Sequence, residues 1–240
     1  MSVFLSETDI ARFLGQSLPD TRKAMKSSKL KSINRQGQKV YPREDVLNWL
    51  AENFTSLTSE RLMRADHSSA DNAGLDPFSC GITQLLSQSE VCFPDKASTK
   101  SSVLRFISNK AVERGAVYDT AELREQLEQR EMVISTALKC GAALVHPLDI
   151  RQLYVERELL LLIILPHPIP FGGPGGRLTS LFFLLLFPDP HRHVHILARL
   201  NRLLRSNDFI ERILSAVSHK EALDMVYRRE LDVISSGGKS

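Results

Sequence analysis

Three histidines near residue 190 are spaced so that they could bind a metal ion. His191, His193 and His195 occupy every second position. In an extended segment this spacing would place three imidazoles on one side, and imidazole is a ligand of zinc and nickel. However, the apolar pattern that follows indicates a helix beginning near His193, where side chains two residues apart diverge by about 200°. We therefore expect no metal site here, and surface or structural roles for His191 and His195.

Two other groups of residues could do chemistry but lack the partners it needs. Residues 172–176 contain four glycines, but Pro174 interrupts them and no Gly-Lys-Ser/Thr follows, so a turn between strands is expected rather than a phosphate-binding loop. Cys140 has no base at a defined spacing and is expected to be a packing residue. Together with Cys80 and Cys92 it makes an odd number without zinc-site spacing, which indicates a reducing compartment.

The basic residues are concentrated at the N-terminus. Residues 1–50 hold nine Lys/Arg and five Asp/Glu, which gives this segment a net charge of +4. The whole chain carries +3, so the remaining residues carry −1. A basic face attracts phosphate groups, and long cationic side chains reach phosphate oxygens or base edges. This charge favours nucleic-acid binding. The alternative is a solvated basic face on a module that binds another protein.

The first 78 residues read as a small helical domain and a linker. A helix is predicted around residues 7–14, a second basic helix after Pro19, a tight turn at Gln36 and Gly37, and a third helix from Pro42. Residues 55–78 are polar and small, which is typical of a linker. We place the first domain at residues 1–54, the linker at 55–78 and a second domain at 79–234.

The second domain alternates helical and strand-like patterns, which predicts a layered α/β fold. Residues 159–165 and 181–187 are strongly apolar but far shorter than the roughly 20 residues of a membrane-spanning helix. They are expected to form strands buried on both faces, without membrane insertion. The N-terminus shows no basic leader with an apolar run, so we expect a cytoplasmic protein.

Three segments of the first domain carry a family resemblance. They are residues 5–15 (LSETDIARFLG), 21–26 (TRKAMK) and 40–50 (VYPREDVLNWL), and they resemble the excisionase and MerR type of winged helix-turn-helix domain. The resemblance implies that the second helix enters the major groove of duplex DNA and that the hairpin contacts the backbone. It places five residues near DNA: Arg22, Lys23, Lys26, Arg35 and Lys39. A single DNA-binding domain of this kind in the chain implies that the protein binds DNA as a homodimer or together with a cooperating partner.

The second domain resembles the fructose and nitrogen-type EIIA proteins of the bacterial sugar phosphotransferase system. The landmarks are residues 130–136 (REMVIST), 141–146 (GAALVH), 169–172 (IPFG), 181–188 (LFFLLLFP) and 193–200 (HVHILARL). The resemblance implies helices layered around a mixed sheet. It also implies that His146 receives a phosphoryl group from the histidine phosphocarrier protein and passes it on, without metal or cofactor. A neutral imidazole nitrogen is a nucleophile at cytoplasmic pH.

The same resemblance assigns two supporting residues. His193 would orient the ring of His146 or bind the phosphoryl oxygens, and Arg130 would balance the developing charge. The sequence departs from the family pattern around the acceptor. Residues 137–141 read ALKCG where Gly-hydrophobic-Gly-Asn-Gly is usual, Val145 replaces a proline, and Pro147 stands where glycine is common. Fewer glycines make a stiffer loop with fewer backbone donors near phosphate.

Three functions are compatible with these patterns. The first is a regulator whose DNA binding or self-association responds to phosphorylation of His146. The second is a relay protein of sugar uptake that carries a phosphohistidine and works with a separate sugar permease subunit, its N-terminal domain serving only for docking. The third is a protein-interaction module with an inactive acceptor, bound to a regulatory target.

Overall fold

The computed structural model describes residues 3–26, 28–87 and 90–236. By its internal contacts the chain divides into two compact units. The first unit comprises Met1–Phe78 and Asp189–Arg202, and the second comprises Ser79–Pro188 and Leu203–Ser240. Residues 189–202, which the sequence pattern assigns to the second domain, are therefore grouped by contacts with the N-terminal residues.

The first unit consists of helices and one small sheet. Its elements are β1 (Phe4–Ser6), α1 (Glu7–Leu14), α2 (Leu18–Lys26), β2 (Ile33–Arg35), β3 (Gln38–Pro42), α3 (Arg43–Phe54), α4 (Ser59–Asn72) and, numbered by its place in the chain, α8 (Pro190–Leu203). The strands are antiparallel in the order β1-β3-β2. Gln36 and Gly37 form the predicted tight turn, with φ angles of 50° and 79°. Positive φ at both central residues matches the twist of a two-residue hairpin.

Helix α1 is fixed at both ends by local interactions. The Ser6 hydroxyl accepts from the backbone N–H of Asp9, and the Asp9 carboxylate accepts from the backbone N–H of Ser6 at 2.8 Å, which is a capping box. Gly15 ends the helix in the left-handed conformation, with φ of 57°. The buried face of α1, with Ile10 and Phe13, contributes to the core of the first unit.

Most of the segment predicted as a linker is the helix α4. Thr58 caps it by accepting from the N–H of Arg61 at 3.3 Å, and its buried residues are Leu62, Ala65, Asp66, Ser69 and Ala70. The hydroxyl of Ser69 donates to the carbonyl of Phe13 at 3.3 Å. A Cβ added to Gly15 would lie 2.6 Å from the carbonyl oxygen of Arg64, so α1 and α4 are in close contact. The small residues that resemble a linker in composition allow this close packing.

The second unit is built around a four-stranded sheet. Its strands are β4 (Val91–Cys92), β5 (Ala142–Val145), β6 (Leu159–Ile169) and β7 (Thr179–Leu186), in the order β4-β6-β7-β5. Two pairs, β4 with β6 and β5 with β7, are parallel, whereas β6 and β7 are antiparallel. The helices are α5 (Gly81–Leu86), α6 (Lys100–Glu113), α7 (Thr120–Val133), α9 (Asn207–Leu214) and α10 (His219–Ser236). This is an α/β fold with a mixed sheet.

The two apolar runs form the central strands as predicted. Side chains on both faces of β6 and β7 are buried from Leu159 to Leu165 and along nearly all of β7, which explains why these runs do not alternate with polar residues. A short 3-10 helix, Pro174–Gly176, lies in the connection between β6 and β7. Within the described residues, every helix is too short or too polar to cross a bilayer.

Candidate functional site

His146 directly follows strand β5. This strand pairs in parallel with β7, with Val145 opposite Leu184, so the carboxyl ends of β5 and β7 lie at the same end of the sheet. Side chains at such an end are held by a rigid element but remain at the border of the core. His146 is 4% exposed. The strand therefore fixes the position of an almost fully buried imidazole.

The hydrogen-bond partners of His146 define which ring nitrogen carries the proton. Its Nδ1 lies 2.8 Å from the carbonyl oxygen of Leu144. A carbonyl oxygen can only accept, so Nδ1 donates and carries the hydrogen. Its Nε2 accepts from the Nε–H of Arg130 at 3.2 Å. The ring is thus neutral, and the lone pair of Nε2 is directed at the guanidinium group.

Arg130 lies in the last turn of α7 and is 2% exposed. Besides contacting His146, it donates from a terminal guanidinium nitrogen to the carbonyl oxygen of Ile134 at 2.6 Å. A guanidinium stays charged in proteins, and a second positive charge on the imidazole would face it at close range, so the geometry favours the neutral ring. The same group has several N–H donors arranged in a plane that suit a tetrahedral anion.

Residues 137–141, whose sequence departs from the family pattern, lie in a loop that is hydrogen-bonded to strand β5. Ala137 and Ala143 form an isolated antiparallel bridge, and the N–H of Leu144 donates to the carbonyl of Thr136 at 3.2 Å. Gly141, the one glycine retained from the family pattern, has φ of 83°, a conformation that glycine adopts without strain. Burial raises the pKa of the Cys140 thiol, so the reactive thiolate is disfavoured there.

The three alternating histidines lie in α8, in the first unit, where the predicted helix is present. The ring of His191 packs on Phe13 with centroids 4.5 Å apart, and burial lowers the pKa of His191. His193 is buried, and its backbone N–H donates to the carbonyl of Asp189 at 2.9 Å. Among the described residues, no three or more His, Cys, Asp or Glu side chains are grouped as a metal site. The role of His193 beside His146 stays a prediction.

A buried ion cluster in the first unit has no counterpart in the sequence-based expectations. Asp66 of α4 is fully buried, and its carboxylate binds Nδ1 of His195 at 2.7 Å, Nε of Arg199 at 2.7 Å, and Arg202. Burial alone would raise the pKa of Asp66, but the hydrogen bond from His195 and the charge of Arg199 outweigh it and lower this pKa to about 2. The signal in the sequence is the position of Asp66, four residues after Leu62 and three before Ser69, which places the three side chains on one face of a helix.

The five residues expected near DNA are all exposed in the first unit: Arg22, Lys23, Lys26, Arg35 and Lys39. Three of them, Arg22, Lys26 and Lys39, line a cleft of about 690 Å³ between α2 and the hairpin. The Nε of Arg22 binds the Glu7 carboxylate at 2.7 Å, and the guanidinium of Arg35 lies 4.7 Å from the ring centroid of Phe4. The structure therefore brings the three cations together along one cleft.

Comparisons with known proteins relate residues 84–228, which include residues 189–202 of the first unit, to one family. The family model described as phosphoenolpyruvate-dependent sugar phosphotransferase system, EIIA 2, matches residues 84–228, which is more than half of the chain. A nitrogen regulatory protein of Bradyrhizobium diazoefficiens is 31% identical over 134 residues, covering 55% of this chain and 85% of that protein. A fructose-specific EIIA component of Haloferax volcanii is 24% identical over 138 residues, covering 57% and 88%.

Solved structures show the same fold. Nitrogen regulatory protein IIA-Ntr of Neisseria meningitidis matches with a TM-score of 0.53 and 24% identity, covering 60% of this chain and 98% of that one. The mannitol IIA protein of Escherichia coli matches with a TM-score of 0.50 and 20% identity, covering 58% and 96%. Residues 1–83 lie outside the family match. The chain belongs, through residues 84–228, to the EIIA 2 family of the phosphoenolpyruvate-dependent sugar phosphotransferase system.

Proposed function

We propose that this protein accepts a phosphoryl group on Nε2 of His146 from the histidine phosphocarrier protein and passes it on. One observation carries the proposal: Nδ1 of His146 is occupied as a donor to Leu144, while the lone pair of Nε2 faces the guanidinium of Arg130. This is the state that nucleophilic attack requires, since the attacking nitrogen must have a lone pair and an adjacent cation can bind the incoming anion.

The transfer needs only the donor and the residues of the site. The lone pair of Nε2 attacks phosphorus of the donor phosphohistidine, a new N–P bond forms, and the old N–P bond breaks with its electron pair returning to the donor ring. As phosphorus approaches, Arg130 gives up its bond to Nε2 and donates to the phosphoryl oxygens instead. Its bond to the Ile134 carbonyl, at 2.6 Å, keeps the guanidinium beside the site during this exchange.

His193 is proposed to assist by orienting the imidazole or by donating to the phosphoryl oxygens. The support is the family resemblance of residues 141–146 and 193–200, which carries both histidines. Removing His193 leaves the accepting atom in place. We therefore expect His193→Ala to slow transfer without abolishing it.

Transfer from labelled phosphocarrier protein tests the proposal. The intact protein should acquire the label, and His146→Ala should not. His167→Ala is the matched control, because His167 is an exposed histidine of the same unit. Labelling of His146→Ala at the wild-type rate would refute the assignment. A folded wild-type protein that takes up no label would instead support the interaction module with an inactive acceptor.

For the first unit we propose binding of duplex DNA. The support is the cleft lined by Arg22, Lys26 and Lys39, together with the exposed Lys23 and Arg35. Such a surface contacts phosphates, and its affinity must fall with rising salt because counterions are released. The resulting protein would be a DNA-binding regulator that reports the phosphorylation state of His146.

The ion pair between Glu7 and Arg22 gives a sharp test of DNA binding. Arg22→Ala and Lys23→Ala should weaken binding and flatten the salt dependence by about one unit per lost phosphate contact. Glu7→Gln should have the opposite effect, because it removes a negative charge from the cleft and releases Arg22. Lys220→Ala, in the second unit, is the control. No binding at low salt by the intact protein would leave docking to a protein partner, as in a sugar-uptake relay, as the function of the first unit.

A further inference from the structure

Glu131 is a buried carboxylate next to Arg130 that the transfer chemistry above does not use. Its side chain is only 1% exposed. Three donors surround it: the backbone N–H of Thr136 at 3.0 Å, the hydroxyl of the same threonine, and the Lys100 ammonium at 2.9 Å. A charge this deeply buried is costly unless it is paired and hydrogen-bonded. Here these bonds hold the loop that follows α7.

The bonded threonine connects this carboxylate to the ring of His146. The carbonyl oxygen of Thr136 accepts from the N–H of Leu144 at 3.2 Å, and the carbonyl oxygen of Leu144 accepts from Nδ1 of His146 at 2.8 Å. All the residues of this hydrogen-bonded chain belong to the second unit. The loop that Glu131 holds is therefore hydrogen-bonded to the residue that fixes the proton on Nδ1.

The last turn of α7 thus acts on both nitrogens of the imidazole. Arg130 contacts Nε2 directly, at 3.2 Å, whereas the neighbouring Glu131 reaches Nδ1 through Thr136 and Leu144. A histidine tautomer is set by the hydrogen bond that one of its nitrogens makes, often from Nδ1–H to a backbone carbonyl. If the Leu144 carbonyl moves, the other tautomer becomes accessible; its Nε2 carries the proton and has no lone pair with which to attack phosphorus.

We propose that Glu131 is a positioning residue for phosphoryl transfer: through Thr136 and Leu144 it holds His146 in the tautomer that leaves Nε2 as the accepting atom. The inference rests on the proposed function of His146. Glu131 positions the loop through its hydrogen bonds to Thr136. The ammonium group of Lys100 pairs with the buried carboxylate. Lys100 also packs over the Phe171 ring, with 4.9 Å between its ammonium nitrogen and the ring centroid.

Three substitutions separate hydrogen bonding from charge. Glu131→Ala removes both, Glu131→Gln keeps an oxygen that can accept from Thr136 but loses the charge, and Thr136→Val removes only the hydroxyl bond. Glu125→Ala is the control, because Glu125 is an exposed glutamate of the same helix. The two measurements are single-turnover phosphoryl transfer from the phosphocarrier protein and the ¹⁵N chemical shifts of the His146 ring in the unphosphorylated protein.

The positioning role predicts linked changes in both measurements. Glu131→Ala should slow transfer by at least about tenfold, since small misplacements of reacting groups cost up to about 100-fold, while the KM for the phosphocarrier protein stays unchanged. Its His146 ¹⁵N shifts should move from the Nδ1–H pattern toward a mixture of tautomers. Thr136→Val should show the same changes to a smaller extent, and Glu131→Gln should restore most of the wild-type rate and shifts.

The ring shifts decide the proposal even if the protein takes up no phosphoryl group. A folded Glu131→Ala protein with wild-type His146 shifts and a wild-type transfer rate would overturn the positioning role. A Glu131→Gln protein as impaired as Glu131→Ala would overturn the assignment to hydrogen bonding. If Glu131→Ala does not fold, Thr136→Val carries the test, and wild-type ring shifts in that variant would count against the proposal.

Discussion

At the scale of single residues, the account depends on the contact between Arg130 and His146. The guanidinium binds the nitrogen that is to accept phosphorus, and a second N–H of the same group is held by the Ile134 carbonyl. In the proposed transfer, the arginine stabilises the neutral ring in the resting state and binds the phosphoryl group after transfer. A point charge without a planar set of donors could not make both contacts at once.

Arg130→Ala should slow phosphoryl transfer by about 100 to 1,000-fold, the typical effect of removing one donor to developing negative charge in a site. Arg130→Lys should fall between this variant and the wild type, because lysine keeps the charge but not the two directed N–H donors. Single-turnover transfer from the phosphocarrier protein measures the effect. Arg124→Ala, a partly exposed arginine of the same helix paired with Glu128, should transfer at the wild-type rate.

A wild-type rate for folded Arg130→Ala would contradict the role of Arg130. Equal rates for the alanine and lysine variants would show that the positive charge alone does not promote transfer.

At the scale of elements, α4 and α8 are joined by the Asp66 cluster. One buried carboxylate binds three side chains of α8, and Arg199 also donates to the carbonyl of Pro77 at 2.5 Å. The segment after α4 is thereby tied to α8 as well. The lowered pKa of Asp66 favours the ionised carboxylate, which is the form that pairs with Arg199 and Arg202.

Asp66→Asn should lower the free energy of unfolding of the first unit by about 3 kcal/mol or more, because it leaves buried arginines without their carboxylate. Trp49 is the only tryptophan of the chain and is buried in this unit, so its fluorescence follows the transition in urea. Asp71→Asn, an exposed position of the same helix, is the control. Equal midpoints for Asp66→Asn and the wild type would contradict the stabilising role of the cluster.

The same carboxylate predicts an acid-dependent loss of stability. The pKa of Asp66 is lowered to about 2 in the folded state, from an ordinary value of 3.8. A lowered pKa contributes stability above the unfolded value, and this contribution disappears as the pH falls through the folded value. About 2 kcal/mol should be lost between pH 5 and pH 2 through this group. In urea titrations, the difference in unfolding free energy between wild type and Asp66→Asn should shrink by about 2 kcal/mol from pH 5 to pH 2, and a constant difference would contradict the prediction.

The elements differ in how far the sequence predicts them. The strands β6 and β7 follow from uninterrupted apolar runs, and the turn at Gln36 and Gly37 follows from residue types that tolerate positive φ. The helix α4 was missed because its buried face consists of alanine, serine and an aspartate, whose burial depends on partners in α1 and α8. Small polar residues acquire a packing role only when their partners are known.

The candidate site was predicted only in part, for a similar reason. The family resemblance names His146 and Arg130, and the structure shows their contact. The proton on Nδ1 and the role of Glu131 follow from individual hydrogen bonds, which no sequence pattern specifies. The assignment of His193 as a partner of His146 stays a prediction.

At the scale of the whole molecule, the proposed regulator requires coupling between phosphorylation and DNA binding. A phosphoryl group adds up to about two negative charges. Direct repulsion of DNA is weak beyond about 8 to 10 Å at physiological salt, so a change in the contacts of the protein is the more effective route. Phosphorylation should change DNA affinity by about 5 to 150-fold, the range of typical coupling energies.

Titration of duplex DNA with phosphorylated and unphosphorylated protein measures this coupling, with mass in solution recorded in parallel to follow self-association. His146→Ala, treated with the same phosphorylating mixture, is the control and should bind DNA like the unphosphorylated wild type. Equal affinities and equal masses for both states of the wild type would show that the two activities are uncoupled.

The central claim is that Nε2 of His146 accepts the phosphoryl group. The most direct test is to phosphorylate ¹⁵N-labelled protein with phosphoenolpyruvate, enzyme I and the phosphocarrier protein, and to assign the modified ring nitrogen by long-range ¹H–¹⁵N and ³¹P spectra. The account predicts one phosphohistidine, at His146, with phosphorus on Nε2 and hydrogen retained on Nδ1. Phosphorus on Nδ1 of His146, or on any other residue, would contradict it.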